Sequence, residues 1–487
     1  MLLVPISVLG CNKPLGSGEH RGRKACTQGY NSFGMRGFSA LAVEPWIDRI
    51  SRIGVLVGLA VPAIAIALQG DQESSADHPP AHHHHHEMDD ADHRSDSEDP
   101  LGLSLSREGS GTAWQPDSTP AYGHHLMAGD WMLMLHYNLQ VGYIDYGSTR
   151  GDSQFTSMNW VMLMAQHALF GGQLTARVML SAEPLTTGGK RGYPLLLQTG
   201  ESADGVPLHD RQHPHDLFME VAAKYNHALA GDFALEVYAA PVGEPALGPV
   251  AFPHRLSAST NPLASLGHHW QDSTHISFGV VTVGLYTRQL KLEGSWFNGR
   301  EPDDNRYDFD FHPLNSYSAR LSYNPFADLS LQISYGYLKS PEELEPDVSV
   351  QRITTSVTFN RPLQGGNWAT TAVFGLNIPS TGTSTSAVLL ESNFELSRNT
   401  VFGRLEFIQR TGADLVLPAA DAQSVFNSVV LELGYVRDFD LGLVTIGLGG
   451  VGSANFLSGG LQPFYGSKVP LGGMVFLRLR PPLTAHH

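Results

Sequence analysis

Cysteine is almost absent: Cys11 and Cys26 are the only two in 487 residues. Both lie near the N-terminus, ahead of the export signal described below, so the mature chain holds neither a disulfide framework nor a thiolate metal site. Charge is also scarce. Only 16% of residues are charged, against about 25% in an ordinary soluble domain. There is no Lys/Arg-rich stretch, and the formal net charge is −16, which excludes a nucleic-acid partner. Long apolar runs are missing except for one near the N-terminus, which excludes a polytopic helical membrane protein. No heptad pattern supports a coiled coil. What is left is a large β protein, 42% hydrophobic and with 51 glycines, whose apolar residues are spread thinly.

The exceptional run, Ile53 to Leu68, is preceded by Arg49 and Arg52 and contains Ala65-Ile66-Ala67. A basic flank, a short apolar stretch and a small-residue site read as a secretory signal cleaved near Ala67. The run is short for a span and is interrupted by Pro62, which argues against a permanent anchor. Met35, followed by Arg36, makes a more ordinary start than Met1. Residues 1–70 are thus a targeting region. Only three of the 47 acidic residues precede Gly70, so the exported part is the acidic part. Residues 71–127 form a polar, His-rich acidic segment without the apolar mass to fold, expected to be disordered and periplasmic.

From 128 to 487 the pattern changes and persists. In Trp131–Tyr143 the odd positions are Trp, Leu, Leu, Tyr, Leu, Val and Tyr, and the even ones Met, Met, His, Asn, Gln and Gly. This period of two means a strand with one oily and one polar face. About sixteen such segments start near 130, 156, 173, 216, 232, 275, 289, 315, 329, 350, 367, 386, 400, 427, 442 and 469. Every second connection is tight, as at Gly171-Gly172, Ala230-Gly231 and Arg398-Asn399. The others are mostly longer, and two, about 182–215 and 241–274, are very long. Short turns at one end and long loops at the other, with an even strand count, define an antiparallel up-and-down transmembrane β-barrel. The polar face carries Arg177, Glu220, Lys224, Glu236, Lys291, Glu293, Arg320, Arg352, Glu391, Glu395, Arg404, Glu406, Glu432 and Arg478, charges of both signs that suit a wet lumen. No 40–50-residue repeat points to a propeller.

Three clusters carry candidate chemistry. His82, His83, His84, His85 and His86, with Met88 and nearby aspartates, offer nitrogen and oxygen ligands for Cu(II), Ni(II) or Zn(II). The two longest loops hold His209, His213 and His215, and His254, His268, His269 and His275. These loops spring from neighbouring strands on one side, so they can meet over the pore mouth or fold into it. Their spacing matches no strict zinc motif. Finally, seven of the 12 methionines fall between 127 and 179. Alternation turns Met132, Met134 and His136 inward, Met162 and Met164 share a face, and Met179 lies beside Arg177. Thioethers are soft ligands suited to Cu(I) or Ag(I). The ordinary role of methionine is to fill irregular gaps.

Over roughly 128–481 the chain resembles a Gram-negative, porin-like outer-membrane β-barrel. The resemblance implies outer-membrane lipid, lipopolysaccharide and the barrel-assembly machinery as partners. It departs from that pattern at its end, where Phe476 rather than a terminal aromatic would carry the assembly signal. A His-rich acidic leader before a Met-lined barrel is distantly similar to the copper-resistance B outer-membrane family, on the strength of His82 to Met88 and the order of parts. That resemblance implies capture and export or sequestration of a copper-like ion, with no cofactor required and no enzymatic role. A passive porin for small solutes is the alternative. An outer-membrane hydrolase is a third reading, for which Ser273 with His275, or Ser257 near His254, are the available pairs. Residues 71–127 are too polar and short for a compact plug.

Overall fold

The structure, a computed structural model, describes residues 99–483. The export signal, the cleavage near Ala67, the run His82–His86 and Met88 lie outside the described residues. Within them the fold is all-β: sixteen strands close into one antiparallel barrel, each paired with its neighbours in sequence. They are β1 (Trp131–Gly147), β2 (Ser153–Leu169), β3 (Gly172–Leu180), β4 (Phe218–Ala228), β5 (Ala234–Gly243), β6 (Ser277–Tyr286), β7 (Leu290–Phe297) and β8 (Ser316–Phe326). The second half is β9 (Leu329–Lys339), β10 (Ser349–Leu363), β11 (Gly366–Pro379), β12 (Thr385–Leu396), β13 (Asn399–Thr411), β14 (Val425–Asp440), β15 (Thr445–Leu457) and β16 (Leu471–Arg480). Each begins within three residues of its expected start. The tight turns share one end, and the long loops, including 181–217 and 244–276, share the other.

Closure is shared between two segments. β16 pairs with Leu139–Gly147 of β1, and the short strand His124–Ala128 pairs with the remainder, Trp131–Leu135.

The outward face is apolar along its length. Leu163, Val283, Leu292, Ile333, Leu433 and Leu448 are exposed at mid-strand positions. Trp131, Phe233, Phe326, Trp368, Phe394 and Phe439 ring the turn end, and Tyr143, Phe155, Trp296 and Tyr317 ring the loop end. Phe476, expected to carry the assembly signal, is buried with Met474 and Arg478 on the inward side of β16. The strand alternation that puts Val475 and Leu477 outside turns it in, so it offers no outward aromatic to the assembly machinery.

The lumen departs most from expectation. Instead of wet walls, Lys291, Glu293, Arg320, Glu391, Arg404, Glu406 and Glu432 are each at most 2% exposed. Two segments bury them. One is the loop 244–276, which folds inward. Gly248 N–H donates to Ser334 Oγ (2.9 Å) while Arg320 donates to the Gly248 carbonyl (3.1 Å). Further along, Arg404 donates to the Leu263 carbonyl (2.8 Å), and the amides of Leu266 and Gly267 donate to the Glu406 carboxylate (3.0 and 2.8 Å). Arg255, carried by this loop, lies between Glu391 (2.5 Å) and Asp272 (3.1 Å).

The other segment is the chain before the barrel. Residues 99–122, expected to be disordered, enter from the turn end as a hairpin (Glu108–Ser110 paired with Ala113–Trp114). Lys291 and Arg177 donate to the carbonyls of Thr112 (2.6 Å) and Gly111 (2.5 Å), and Arg320 donates to Thr112 Oγ1 (2.9 Å). Lys224 pairs with Glu108. At the tip, Gly111 has φ +49°, and a Cβ there would meet Glu244 Cβ at 2.7 Å. The tip reaches the inward loop, where Ala251 N–H donates to Ser110 Oγ (2.8 Å). The chain then crosses the turn-end mouth, bonded to Ala327 and Asn360 through Ser118 and to Glu395 through Tyr122. The expectation that no plug precedes the barrel fails for a physical reason. A polar segment needs no apolar core of its own when lumen cations and amides satisfy its backbone.

Candidate metal centre

The two long loops bring five histidines together under the loop end. The 181–217 loop carries a buried hairpin, Tyr193–Ala203 with Val206–Gln212, and delivers His213 and His215 as it descends to β4. The 244–276 loop ends in two short helical turns, His268–Gln271 and Ser273–His275, which deliver His268, His269 and His275. All five are buried. Ring centroids lie 4.9 Å apart for His268–His269, 5.1 Å for His268–His275, 5.3 Å for His215–His275 and 6.3 Å for His213–His268. Phe252 stacks on His215, meets His268 and His275 edge to face, and keeps that side apolar.

In this group all five imidazoles are held by one nitrogen, His213 through Nδ1 to the Pro214 carbonyl (3.1 Å). Nδ1 of His215 meets Glu183 (2.9 Å), that of His268 meets Asp272 (2.9 Å), and that of His269 meets Glu301 (3.4 Å). Nδ1 of His275 meets the Asp272 carbonyl (2.8 Å). The Nε2 atoms of His215, His269 and His275 are buried without a hydrogen-bond partner. Nε2 of His213 stands 3.1 Å from Glu201 Oε1 without hydrogen-bond alignment. Fixing one imidazole nitrogen on a carboxylate or carbonyl while leaving the other bare is how proteins orient metal-binding histidines. One donor atom from each of His213, His268 and His269 lies within 4.8 Å of the others, and His269, Glu301 and Glu342 form a second such set.

Electrostatics keep three of these rings, His213, His268 and His275, neutral. Burial, reinforced by Arg306 and the neighbouring imidazoles, holds His213 well below its usual pKa. Burial likewise lowers His268, and pushes His275 down to about 3. Burial works to raise Asp272, but the His268 hydrogen bond and Arg255 outweigh it and keep the carboxylate ionised. Neutral imidazoles beside ionised carboxylates are the protonation states metal binding requires.

Two sequence-selected histidines lie elsewhere. His209 sits on the inserted hairpin, paired with Asp210 (2.9 Å) and Arg150 (2.6 Å). His254 lies deeper, against the methionines. Those methionines form rows across the first three strands: Met134 opposite Met164, and His136 opposite Met162, which is opposite Met179. Met132 pairs with Gln166 one row nearer the turns. Met134, His136, Met162, Met164 and His254 line a cavity of about 120 Å³, which also touches the leading hairpin. A small cavity lined by Met179, His254 and His275 lies between this region and the histidine group. Above that group, a cavity of about 210 Å³ is lined by Glu201, His269, Glu342, Glu343 and Asp414.

Sequence reasoning passed over Glu183, Glu201 and Glu301, the carboxylates that orient the rings. They lie on other loops, and no spacing ties them to the histidines. Asp272 was within reach, four residues after His268. The hydrolase pairs do not form: Ser273 Oγ accepts from Arg352 (2.7 Å), and Ser257 Oγ donates to Glu391 (2.9 Å) and is hydrogen-bonded to the Thr371 hydroxyl (2.8 Å).

An aliphatic belt between two aromatic rims, on a closed wall with no free edge, defines a membrane-spanning β-barrel; its lumen is filled by its own chain. No protein-family model matches the sequence, and no curated protein does. Among solved structures, the chain is similar to OmpF of Salmonella typhi in complex with daunomycin (TM-score 0.44, 10% identity, covering 73% of this chain and 100% of that one). It is also similar to a loop L8 deletion mutant of OmpT, an outer membrane protein of Vibrio cholerae (0.42, 7%, 72% and 100%). A third is an anion-selective porin from Comamonas acidovorans (0.39, 9%, 72% and 99%).

Proposed function

We propose that the chain is an outer-membrane barrel that takes transition-metal ions into its lumen, with the turn end and the leader in the periplasm and the long loops outside. The observation that carries this reading is the buried histidine group: imidazoles fixed at Nδ1, several with a bare Nε2, among which His213, His268 and His269 each offer a donor atom within 4.8 Å of the others. Burying so many unsatisfied ring nitrogens is costly unless something binds them. Nitrogen with carboxylate oxygen suits Zn(II) or Cu(II). The run His82–His86 with Met88 would serve as a periplasmic collector for ions moving outward. Copper as the ion and outward as the direction are part of the proposal.

The test is titration of the detergent-purified full chain with Zn(II) and Cu(II), beside His213→Ala/His269→Ala. The variant is expected to bind one equivalent fewer. Equal stoichiometry and affinity would remove the centre. The passive-porin reading is tested in planar bilayers. Steady conductance of small uncharged and charged solutes through the wild-type barrel, unaffected by metal, would favour it.

A further inference from the structure

The methionine rows contain a second donor set whose chemistry differs from that of the histidine group. We propose that His136, Met162, Met179 and His254 form a site for a soft monovalent cation, Cu(I) or Ag(I), distinct from the divalent centre above. The assignment builds on the reading of the lumen as an ion path, but it stands or falls separately.

Register supplies three of the donors. His136 on β1 is directly opposite Met162 on β2, and Met162 is directly opposite Met179 on β3. Facing residues on adjacent strands have Cβ atoms about 4.5–5.5 Å apart, so one row offers an imidazole and two thioethers side by side. The inward loop supplies the fourth: His254 Nε2 lies 3.2 Å from Met179 Sδ, and its ring is 6.0 Å from that of His136. Trp160 closes over the set, with its ring 4.7 Å from His136 and 4.6 Å from His254. Met162 and Met179 are buried.

Charge decides between ion classes. The row ends at Glu220 on β4, opposite Met179, but that carboxylate is already taken up by Arg177 (3.1 Å) and by the Tyr238 hydroxyl (2.8 Å), so the row offers no unpaired carboxylate. A divalent ion placed here would either keep two uncompensated charges or draw Glu220 away from its buried guanidinium partner, and both are costly. A monovalent ion has half that charge to lose from water, and thioether with neutral imidazole is the ligand set that favours Cu(I). Access is from the turn end, through the cavity where Met134 and Met164 face each other. The geometry thus sorts ions along the lumen, soft ones at the methionines and borderline divalent ones at the imidazole–carboxylate group.

The experiment uses the detergent-purified full chain titrated with Ag(I), a redox-inert stand-in for Cu(I), and separately with Zn(II). Wild type is compared with Met162→Leu/Met179→Leu and with His213→Ala/His269→Ala. Met-to-Leu exchange conserves volume, and heat-modifiable gel migration checks that the barrel has formed. The expected result is one Ag(I) equivalent fewer and loss of the silver–sulfur shell in X-ray absorption for the methionine variant, with Zn(II) binding unchanged. Retention of that sulfur shell, or Ag(I) binding lost only in the histidine variant, would overturn the soft site. Failure of wild type to bind Zn(II) at the loop end, with the silver result as expected, would remove the divalent centre and leave the soft site standing.

Discussion

Two stretches of the lumen wall face the same interior and do opposite things. From β12 to β14, Glu391, Arg404, Glu406 and Glu432 hold the inward loop through its backbone and through Arg255 and Asn261. From β1 to β3 the wall presents Met134, His136, Met162 and Met164, which face a cavity. The charged wall is a clamp, its members paired with one another and with the loop. The methionine wall is chemically soft and leaves room. Buried charge in this molecule therefore marks where the chain holds itself, Arg177 on β3 included through the Gly111 carbonyl, and the methionine rows mark where something else is able to bind.

The contrast is broken most severely at Arg404, which lies between Glu391 (3.3 Å) and Glu432 (3.2 Å). Arg404→Leu leaves both carboxylates buried with reduced compensation, and a loss of about 3–5 kcal/mol is expected in urea unfolding from detergent. A smaller effect comes from pH at the histidine group. His275 is held near 3 in the folded chain, whereas the unfolded chain takes up its proton near 6.5. Its contribution is therefore complete above about 6.5 and is lost as pH falls toward 3, at up to about 1.4 kcal/mol per pH unit. Glu244 and Asp216, raised by burial to about 8 and about 7, act in the opposite direction. The measurement is accordingly the stability gap between wild type and His275→Asn, which should shift against wild type on going from pH 7 to pH 5.

Gly375 on β11 tests the clamp from its far side. A Cβ there would meet the Trp270 carbonyl oxygen at 2.4 Å, so Gly375→Val should displace the inward loop at a cost of about 1–3 kcal/mol. Single-channel conductance should rise above that of wild type, and an unchanged conductance would show that the loop yields without opening a path. The smallest effect belongs to the methionine wall, where Met134→Leu/Met164→Leu should cost under about 1.5 kcal/mol. A larger loss would mean that the wall is tightly packed structure and not a vacant surface.

The barrel was legible in the sequence because alternation and turn chemistry are local. Trp131–Tyr143 reveals its two faces without reference to anything else in the chain. The contents of the lumen were not legible. Alternation turns Glu391 and Arg404 inward but is silent on whether water or chain meets them, and Phe476 shows that an inward position need not be polar. Residues 99–122 are polar enough to read as unstructured because the groups that satisfy them, Lys291, Arg320 and Asn360, lie about 180 to 240 positions away. For the histidines, composition identified the residues and loop adjacency suggested a meeting. The exclusion of His209 and the orientation by Glu183 and Glu301 depend on how the loops fold.

The leading hairpin has one further consequence. It enters and leaves the lumen by the same rim, its tip bonded to the inward loop and both of its legs anchored near the tight turns. No strand of the wall has to part for such a stopper to be withdrawn, whereas the inward loop is tethered to β5 and β6 and cannot leave. A pull on the chain ahead of Asp99 would uncork the methionine chamber from below while leaving the imidazole group sealed above it.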